Sequence, residues 1–273
     1  MKTKKKIGII GFGNMGQAIA QRLRADYEIY TFDKDETKTR RASGVIVCKY
    51  IEDAVNEDKI LLLAVKPQDF NALLDTIKDF TQNKLIISIA AGISTSFIES
   101  HLNANARIIR VIPNMPAKIG YGMSCLCKSS SASDNDMVVA EEIFKYLGKT
   151  LALDEEKMDA ATAVSGSGPG FLCDFIETNG MDSKKIEEFK IEFEQVAKDI
   201  GLSAPEASVL VETTVSGTLK MLEGSDINPG QLKGQVSSKG GTTEAGLNTW
   251  HKEGGTLSTA VKAALMRARE LSK

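Results

Sequence analysis

Apolar residues along the first half of the chain gather in short runs: Lys6–Ile10, Glu28–Phe32, Val45–Val47, Ile60–Val65, Leu85–Ala90, Arg107–Ile112 and Gly122–Leu126. Runs of this length between turn residues predict strands, and those apolar throughout, such as Ile60–Val65 and Leu85–Ala90, suit strands covered on both faces. Between them, Met15–Ala25, Ile51–Asn56, Gln68–Phe80 and Ser94–His101 carry helical spacing, with Ser94 placed as an N-cap. Strands alternating with helices predict a parallel, doubly wound α/β sheet.

The pattern changes after Ser133. Asp136–Leu147 bears a helical stripe of Met137, Ala140, Ile143, Phe144 and Leu147, stopped by Gly148. A short strand is expected at Thr150–Leu153, and only helices from Asp154 onward. Asp182–Glu194 reads as an amphipathic, partly solvated helix with Ile186, Phe189, Ile191 and Phe193 as its apolar residues. Further helices are expected from Ser203 to about Leu222 and over Thr256–Leu271. The Gly-rich segments Ser165–Gly170 and Ser237–Thr243 are expected to break the helical pattern. The boundary falls near Glu155, giving an α/β domain over 1–154 and an all-helical domain over 155–273. Several apolar helix faces in the second domain predict that it oligomerises.

Composition narrows the partners. With 42% hydrophobic and 26% charged residues and a net charge of −2, neither nucleic acid nor an anionic membrane is the expected partner. The basic run from Lys2 to Lys6 reads as a solvated tail. No segment approaches the roughly 18 continuous apolar residues of a membrane span, and the N-terminus does not read as a signal peptide. The four cysteines, Cys48, Cys125, Cys127 and Cys173, have no disulfide or zinc-ligand spacing, and Cys125 and Cys127 are expected to be buried in a strand. A reducing, cytoplasmic setting follows.

Candidate chemistry begins at Gly11-Phe12-Gly13-Asn14-Met15-Gly16, a G-x-G-x-x-G turn directly after a strand and opening a helix. Gly11 permits the tight turn, Gly13 lets a pyrophosphate approach the backbone, and Gly16 allows close helix–strand packing. The helix N-terminus offers free N–H groups to phosphates. Asp33, at the end of the next strand, is placed to accept from an adenosine ribose diol and to repel a 2′-phosphate, which favours NADH over NADPH. Lys34, Lys38, Arg40 and Arg41 follow closely and would offset part of that repulsion. Further loops at the carboxyl ends of strands hold Ala64, Val65 and Lys66, then Ala91, then Asn114, the last a polar contact for a nicotinamide ribose. In the second domain, two glycines before two threonines at a helix start, Gly240 to Thr243, suit a carboxylate. The two histidines, His101 and His251, fall at helix ends and read as structural. No His/Cys/Asp cluster has metal spacing and there is no nucleophile elbow. Reduction of an electrophilic C=N bond needs little beyond proximity, orientation and a proton donor, which suits this sparse inventory.

These segments together resemble the pyrroline-5-carboxylate reductase family: Gly11–Gly16, Ala64–Gln68, Ser88–Ile93, Arg110–Ala117, Val164–Pro169 and Gln231–Thr243, in order over nearly the whole chain. The resemblance implies a Rossmann-type domain joined to a helical dimerisation domain, and an oxidoreductase of proline biosynthesis using NAD(P)H. It implies a homodimer or larger oligomer whose active site forms where the helices of two subunits interlock. It places the substrate loop on Ser238, Gly240, Gly241, Thr242 and Thr243, with the Thr243 hydroxyl on the ring nitrogen and loop amides on the carboxylate, and Asp226 as a looser match. Cofactor positions fall on Gly11 to Gly16, Ala64 to Lys66, Ala91 and Asn114.

This chain departs from the family at Lys239, where proline is usual, and at Met115, where threonine is usual. It is also longer between Pro169 and Pro205 by roughly four helical turns, centred on 178–193. These departures motivate a catalytically silent, nucleotide-binding relative as an alternative. A β-hydroxyacid dehydrogenase, which shares the two-domain plan, needs a lysine where this chain has Leu172 or Asp174.

Overall fold

Lys5–Ile10 (β1) runs parallel between Tyr27–Phe32 (β2) and Ile60–Leu63 (β4), with Gly8 opposite both Tyr30 and Leu61. Ile46–Val47 (β3) pairs with β2, Leu85–Ser88 (β5) with β4, and Arg107–Pro113 (β6) with β5, all parallel. With Gly122–Lys128 (β7) and Gly148–Ala152 (β8), the strand order is β3-β2-β1-β4-β5-β6-β7-β8. The chain reverses its direction of travel across the sheet between β1 and β4, so the loops after these two strands bound a crevice at their carboxyl ends. The computed structural model describes residues 4–40, 42–57, 59–102, 106–224 and 226–272. Backbone contacts divide the chain into two units, Met1–Val111 with Leu126–Leu147, and Ile112–Cys125 with Gly148–Lys273. The second unit thus resumes at Gly148, ahead of the Glu155 boundary read from the sequence, and also takes in 112–125.

In the first unit the helices are α1 (Asn14–Leu23), α2 (Ile51–Asn56), α3 (Phe70–Ile77), α4 (Thr95–His101) and α5 (Asp134–Phe144). The apolar runs became central strands because both faces are covered: Ile7, Ile9, Leu61, Leu62, Leu63, Ile86 and Ile87 are all buried. The Ser94 Oγ accepts from the Phe97 N–H as an N-cap should. Helix α5 starts with a capping box of Ser133 and Asp136, and Asp136 also accepts from Arg107, which stands at the start of β6. The segment 68–80 is less uniform than its spacing predicts, because Pro67 opens a 3₁₀ turn at Pro67–Asp69 and another follows at Lys78–Phe80. Cys125 and Cys127 on β7 are buried, as their place in a strand predicts.

The second unit is helical after β8: α6 (Met158–Ala161), α7 (Gly168–Asn179), α8 (Ser183–Asp199), α9 (Ala204–Glu223), α10 (Pro229–Val236), α11 (Thr242–Trp250) and α12 (Leu257–Leu271). One expectation fails here. Ser165–Gly170 does not interrupt the helix; a π-helical turn at Thr162–Gly166 carries the backbone into α7. The glycines serve packing instead. A Cβ at Gly168 would lie 2.8 Å from the Thr214 side chain, and one at Gly170 would lie 2.5 Å from Thr243 Cγ2. In α8, Phe189 and Phe193 are buried while Ile191 is 63% exposed, so the inward stripe omits Ile191. Met266 on α12 is equally open at 63%. Among the described residues no helix is long and apolar enough to cross a membrane.

Candidate functional site

The turn after β1 is built by what its glycines lack. Gly11 has φ +97°, and a Cβ there would lie 2.5 Å from the Ala64 carbonyl oxygen, so only glycine fits. Gly16 packs against the Gly11 carbonyl, which brings α1 down onto the turn. Gly13 faces open space, with nothing within 4 Å of its Cβ position, and as N-cap of α1 it supplies no side-chain hydrogen bond. The first-turn N–H groups of α1 are therefore available to an anion. Asn14 is exposed and Met15 half-buried; the Phe12 side chain is buried, and its carbonyl accepts from Gln17 Nε2 at 2.8 Å. This cradle fits the pyrophosphate of a dinucleotide.

Asp33 is more committed than its position at the strand end predicts. Its Oδ2 accepts from the Phe12 N–H at 2.7 Å and its Oδ1 from the Asp35 N–H at 2.9 Å. The Lys38 ammonium spans both oxygens, at 3.1 and 3.2 Å. Of the four expected cations, Lys34 pairs with Asp69 at 2.6 Å instead, Arg40 is exposed, and Arg41 lies outside the described residues. A cavity of about 220 Å³ opens beside Phe12, Gln17, Gln21, Thr37, Lys38 and Ser43. Ala64 and Val65 are half-buried at the end of β4, and the Ala64 N–H donates to the Ile10 carbonyl at 2.7 Å. Lys66 is exposed at the start of the Pro67 turn, and Ala91 is exposed beside Gly92, which has φ +75°.

In the second unit, Asn114 is 2% exposed and does local work: its Oδ1 accepts from the Met123 N–H at 2.8 Å, closing the loop 114–122. Its Nδ2 is buried without an acceptor among the described residues. The adjacent Met115 packs on an apolar cluster of Cys173, Met221 and Leu232.

The loop of Ser238, Lys239, Gly240 and Gly241 leads into α11, which starts at Thr242. Gly240 has φ +72°, its N–H donates to Glu244 at 2.7 Å, and its carbonyl accepts from Arg267 Nε at 2.7 Å. The Gly241 N–H is likewise used, on the Ser238 carbonyl at 2.9 Å. The two glycine amides thus shape the loop, while Gly241 as N-cap leaves the first-turn amides of Thr242 and Thr243 without a side-chain cap. Thr242 Oγ1 accepts from Ser167 at 2.9 Å, and Thr243 is buried against Gly170. Asp226 is exposed between α9 and α10, and Lys239 is exposed on the loop.

Three residues to which the sequence assigned no role in the site, among them His251, which reads as structural, join near this loop. The Asp174 carboxylate, on α7, accepts from Lys233 Nζ at 2.9 Å and lies 2.9 Å from His251 Nε2; Lys233 also pairs with Glu177. Burial pushes the Asp174 carboxyl up, but the Lys233 and His251 hydrogen bonds outweigh it and hold it below the usual carboxylate range. An ionised carboxylate only accepts, so His251 Nε2 carries the proton. The spacing of Asp174 and Glu177 on one helix face was the available signal. Burial pushes the neighbouring Cys173 thiol up to about 12. Among the described residues no group of His, Cys, Asp and Glu is arranged to hold a metal ion.

Comparison with known proteins places both segments in context. Residues 6–92 match a family described as NADP oxidoreductase coenzyme F420-dependent, and residues 188–271 match the pyrroline-5-carboxylate reductase dimerisation family. The pyrroline-5-carboxylate reductase of Methanosarcina acetivorans is 34% identical over 281 residues, covering 98% of this chain and 97% of that protein. The Arabidopsis thaliana enzyme of that name is 32% identical, covering 98% and 96%. Among solved structures, Plasmodium falciparum pyrroline carboxylate reductase with NADP bound aligns over 100% of both chains with a TM-score of 0.67 and 26% identity.

Proposed function

This chain belongs to the pyrroline-5-carboxylate reductase family, and from that premise we propose that it reduces the C=N bond of 1-pyrroline-5-carboxylate to give L-proline. The observation that carries the reading is the Gly-Gly-Thr-Thr helix start, where uncapped amides and a buried threonine hydroxyl lie side by side. The amides of Thr242 and Thr243 take the substrate carboxylate, reinforced by the positive end of α11. The Thr243 hydroxyl bonds the ring nitrogen and stabilises the proton that this atom gains. Ser238, Gly240 and Gly241 shape the loop, and Asp226 contributes charge near it. A reduced nicotinamide dinucleotide held through its pyrophosphate at Gly11 to Gly16 would supply the hydride for the imine carbon, and the ring nitrogen would take a proton. Gly11 to Gly16 hold the pyrophosphate, and Ala64, Val65, Lys66, Ala91 and Asn114 complete the dinucleotide contacts; the unpartnered Asn114 Nδ2 supports its part. Asp33 favours NADH, with Lys38 moderating that preference.

Oligomerisation through the helical residues is part of the same proposal, as a homodimer or larger ring; the exposed Ile191 and Met266 support it. The residues 1–154 and 155–273 are proposed to act as the dinucleotide and substrate domains of a cytoplasmic enzyme. The test is direct. Purified protein is mixed with NADH or NADPH and 1-pyrroline-5-carboxylate, and nucleotide oxidation is followed at fixed pH. A substrate-dependent rate that Thr243→Ala reduces about a hundredfold, with nucleotide affinity retained, is expected. No rate with either nucleotide overturns the reading and leaves the silent relative.

A further inference from the structure

Asp174 grips the chain on both sides of the Ser237–Thr243 loop. It stands on α7, one turn beyond Gly170, whose missing side chain makes room for Thr243. Lys233, on its Oδ1, lies in the last turn of α10 just ahead of Ser237. His251, on its Oδ2, caps the far end of α11, whose first turn holds Thr242 and Thr243. A helix of this length behaves as a rod, so a displacement at His251 is carried along its axis to Thr243. The two carboxylate oxygens therefore fix the start and the end of the same segment against one helix.

Resting on the reading that this loop takes the substrate, we infer that Asp174 is a positioning residue for it, setting the Thr243 hydroxyl and the first-turn amides through Lys233 on one side and His251 on the other. Apolar packing alone does not supply this. Trp250 touches the Phe171 ring at 6.0 Å and the Phe189 ring at 6.5 Å, contacts that hold α11 close but tolerate sliding. Charge-assisted hydrogen bonds are directional and fix register as well as distance. Glu177 shares Lys233 but has no part in holding His251, so it does not replace Asp174 at α11. A buried carboxylate held by an ammonium and an imidazole adds little net stability, and position is the property it contributes most.

The experiment compares Asp174→Asn, His251→Ala and their double variant with the parent protein, measuring kcat and KM for 1-pyrroline-5-carboxylate, Kd for NADPH, and Tm. Asp174→Asn is expected to raise the substrate KM about tenfold, with kcat lowered less than about threefold and NADPH affinity within about twofold. His251→Ala is expected to raise KM by about threefold, and the double variant to match Asp174→Asn because His251 acts through it. A lowered Tm with unchanged KM in both single variants overturns the inference. If Asp174→Asn does not fold, His251→Ala decides alone, since its side chain is 58% exposed and its removal opens no core. Thr243→Ala run in parallel separates the two readings. Normal kinetics in that variant sink the substrate loop itself, whereas an impaired Thr243→Ala beside a normal His251→Ala sinks only the role of Asp174.

Discussion

Replacing Lys38 with methionine tests the proposal that its charge moderates nucleotide choice at Asp33. The ammonium bridges both oxygens of Asp33, and 40% of its side chain is exposed, so most of its stem stays packed in the variant. Without it, the Asp33 carboxylate faces an incoming 2′-phosphate as an uncompensated negative charge. Two unit charges about 4 Å apart interact by about 1 kcal/mol in water and by about 4 kcal/mol at the lower effective dielectric of a protein surface. With solvent screening, the net penalty is about 1–2 kcal/mol, or roughly five- to thirtyfold in affinity. NADH lacks the phosphate, and its ribose diol gains the acceptors that Lys38 gives up. Lys38→Met is therefore expected to weaken NADPH binding at least about fivefold while NADH changes by less than about threefold. Lys38→Arg is expected to keep most of the NADPH affinity. Isothermal titration with each nucleotide at low ionic strength reads this, and added salt should shrink the gap. Equal losses for both nucleotides, or a ratio unchanged within about twofold, would refute the assignment of Lys38 and Asp33 to the adenosine ribose.

Further outcomes follow from the same geometry. Gly11→Ala forces a Cβ towards the Ala64 carbonyl at a left-handed φ, so it should abolish dinucleotide binding and lower Tm by several degrees; normal NADPH titration would contradict the turn's role. Native protein treated with a thiol reagent should label Cys48 only, because Cys125, Cys127 and Cys173 are buried and burial pushes the Cys173 thiol up to about 12. Mass spectrometry showing Cys173 among the first labelled sites would count against this packing. Burial raises the Asp174 and Glu206 carboxyls, but hydrogen bonds to Lys233 and His251, and to Lys157 and Ser203, outweigh it and leave both below their ordinary values of 3.8 and 4.5. The unfolded chain then binds more protons in acid, so the stability these groups give is full above those ordinary values and is lost as pH falls through the folded ones. Tm should hold from neutrality down to about pH 5 and fall below it, with a shallower fall in Asp174→Asn; identical acid slopes would argue against that carboxylate's share.

What the sequence made legible was local. The strands and the glycine turn are written in contiguous residues, and Ser94 announces its cap three residues before the amide it accepts from. Asp33 was legible as a residue at a strand end, but its bond to the Phe12 N–H was not, because that contact depends on how β1 and β2 pair. Among four nearby cations no pattern singled out Lys38; only the fold of 33–40 selects it over Lys34, which Asp69 holds. The Ser165–Gly170 stretch misled for a physical reason. Glycines reduce helix propensity and also permit close approach, and here the neighbouring Thr214 and Thr243 make the second effect prevail. Asp174, Lys233 and His251 meet across three helices, a juxtaposition that hydrophobic periodicity does not encode.

The strand order also dictates when this protein is able to fold as it is made. β1 emerges before the other strands of this sheet, yet one of its edges is filled only by Ile60–Leu63, with Gly8 waiting for Leu61 and Ile10 for Leu63. At about 5–20 residues per second, that edge stays open for several seconds on the ribosome. Early pairing with β2 covers one side, but the parallel partner on the other side comes only after a long crossover, a slow step that leaves Ile7 and Ile9 incompletely covered. Fragments ending before β4 should therefore be sticky rather than partly active.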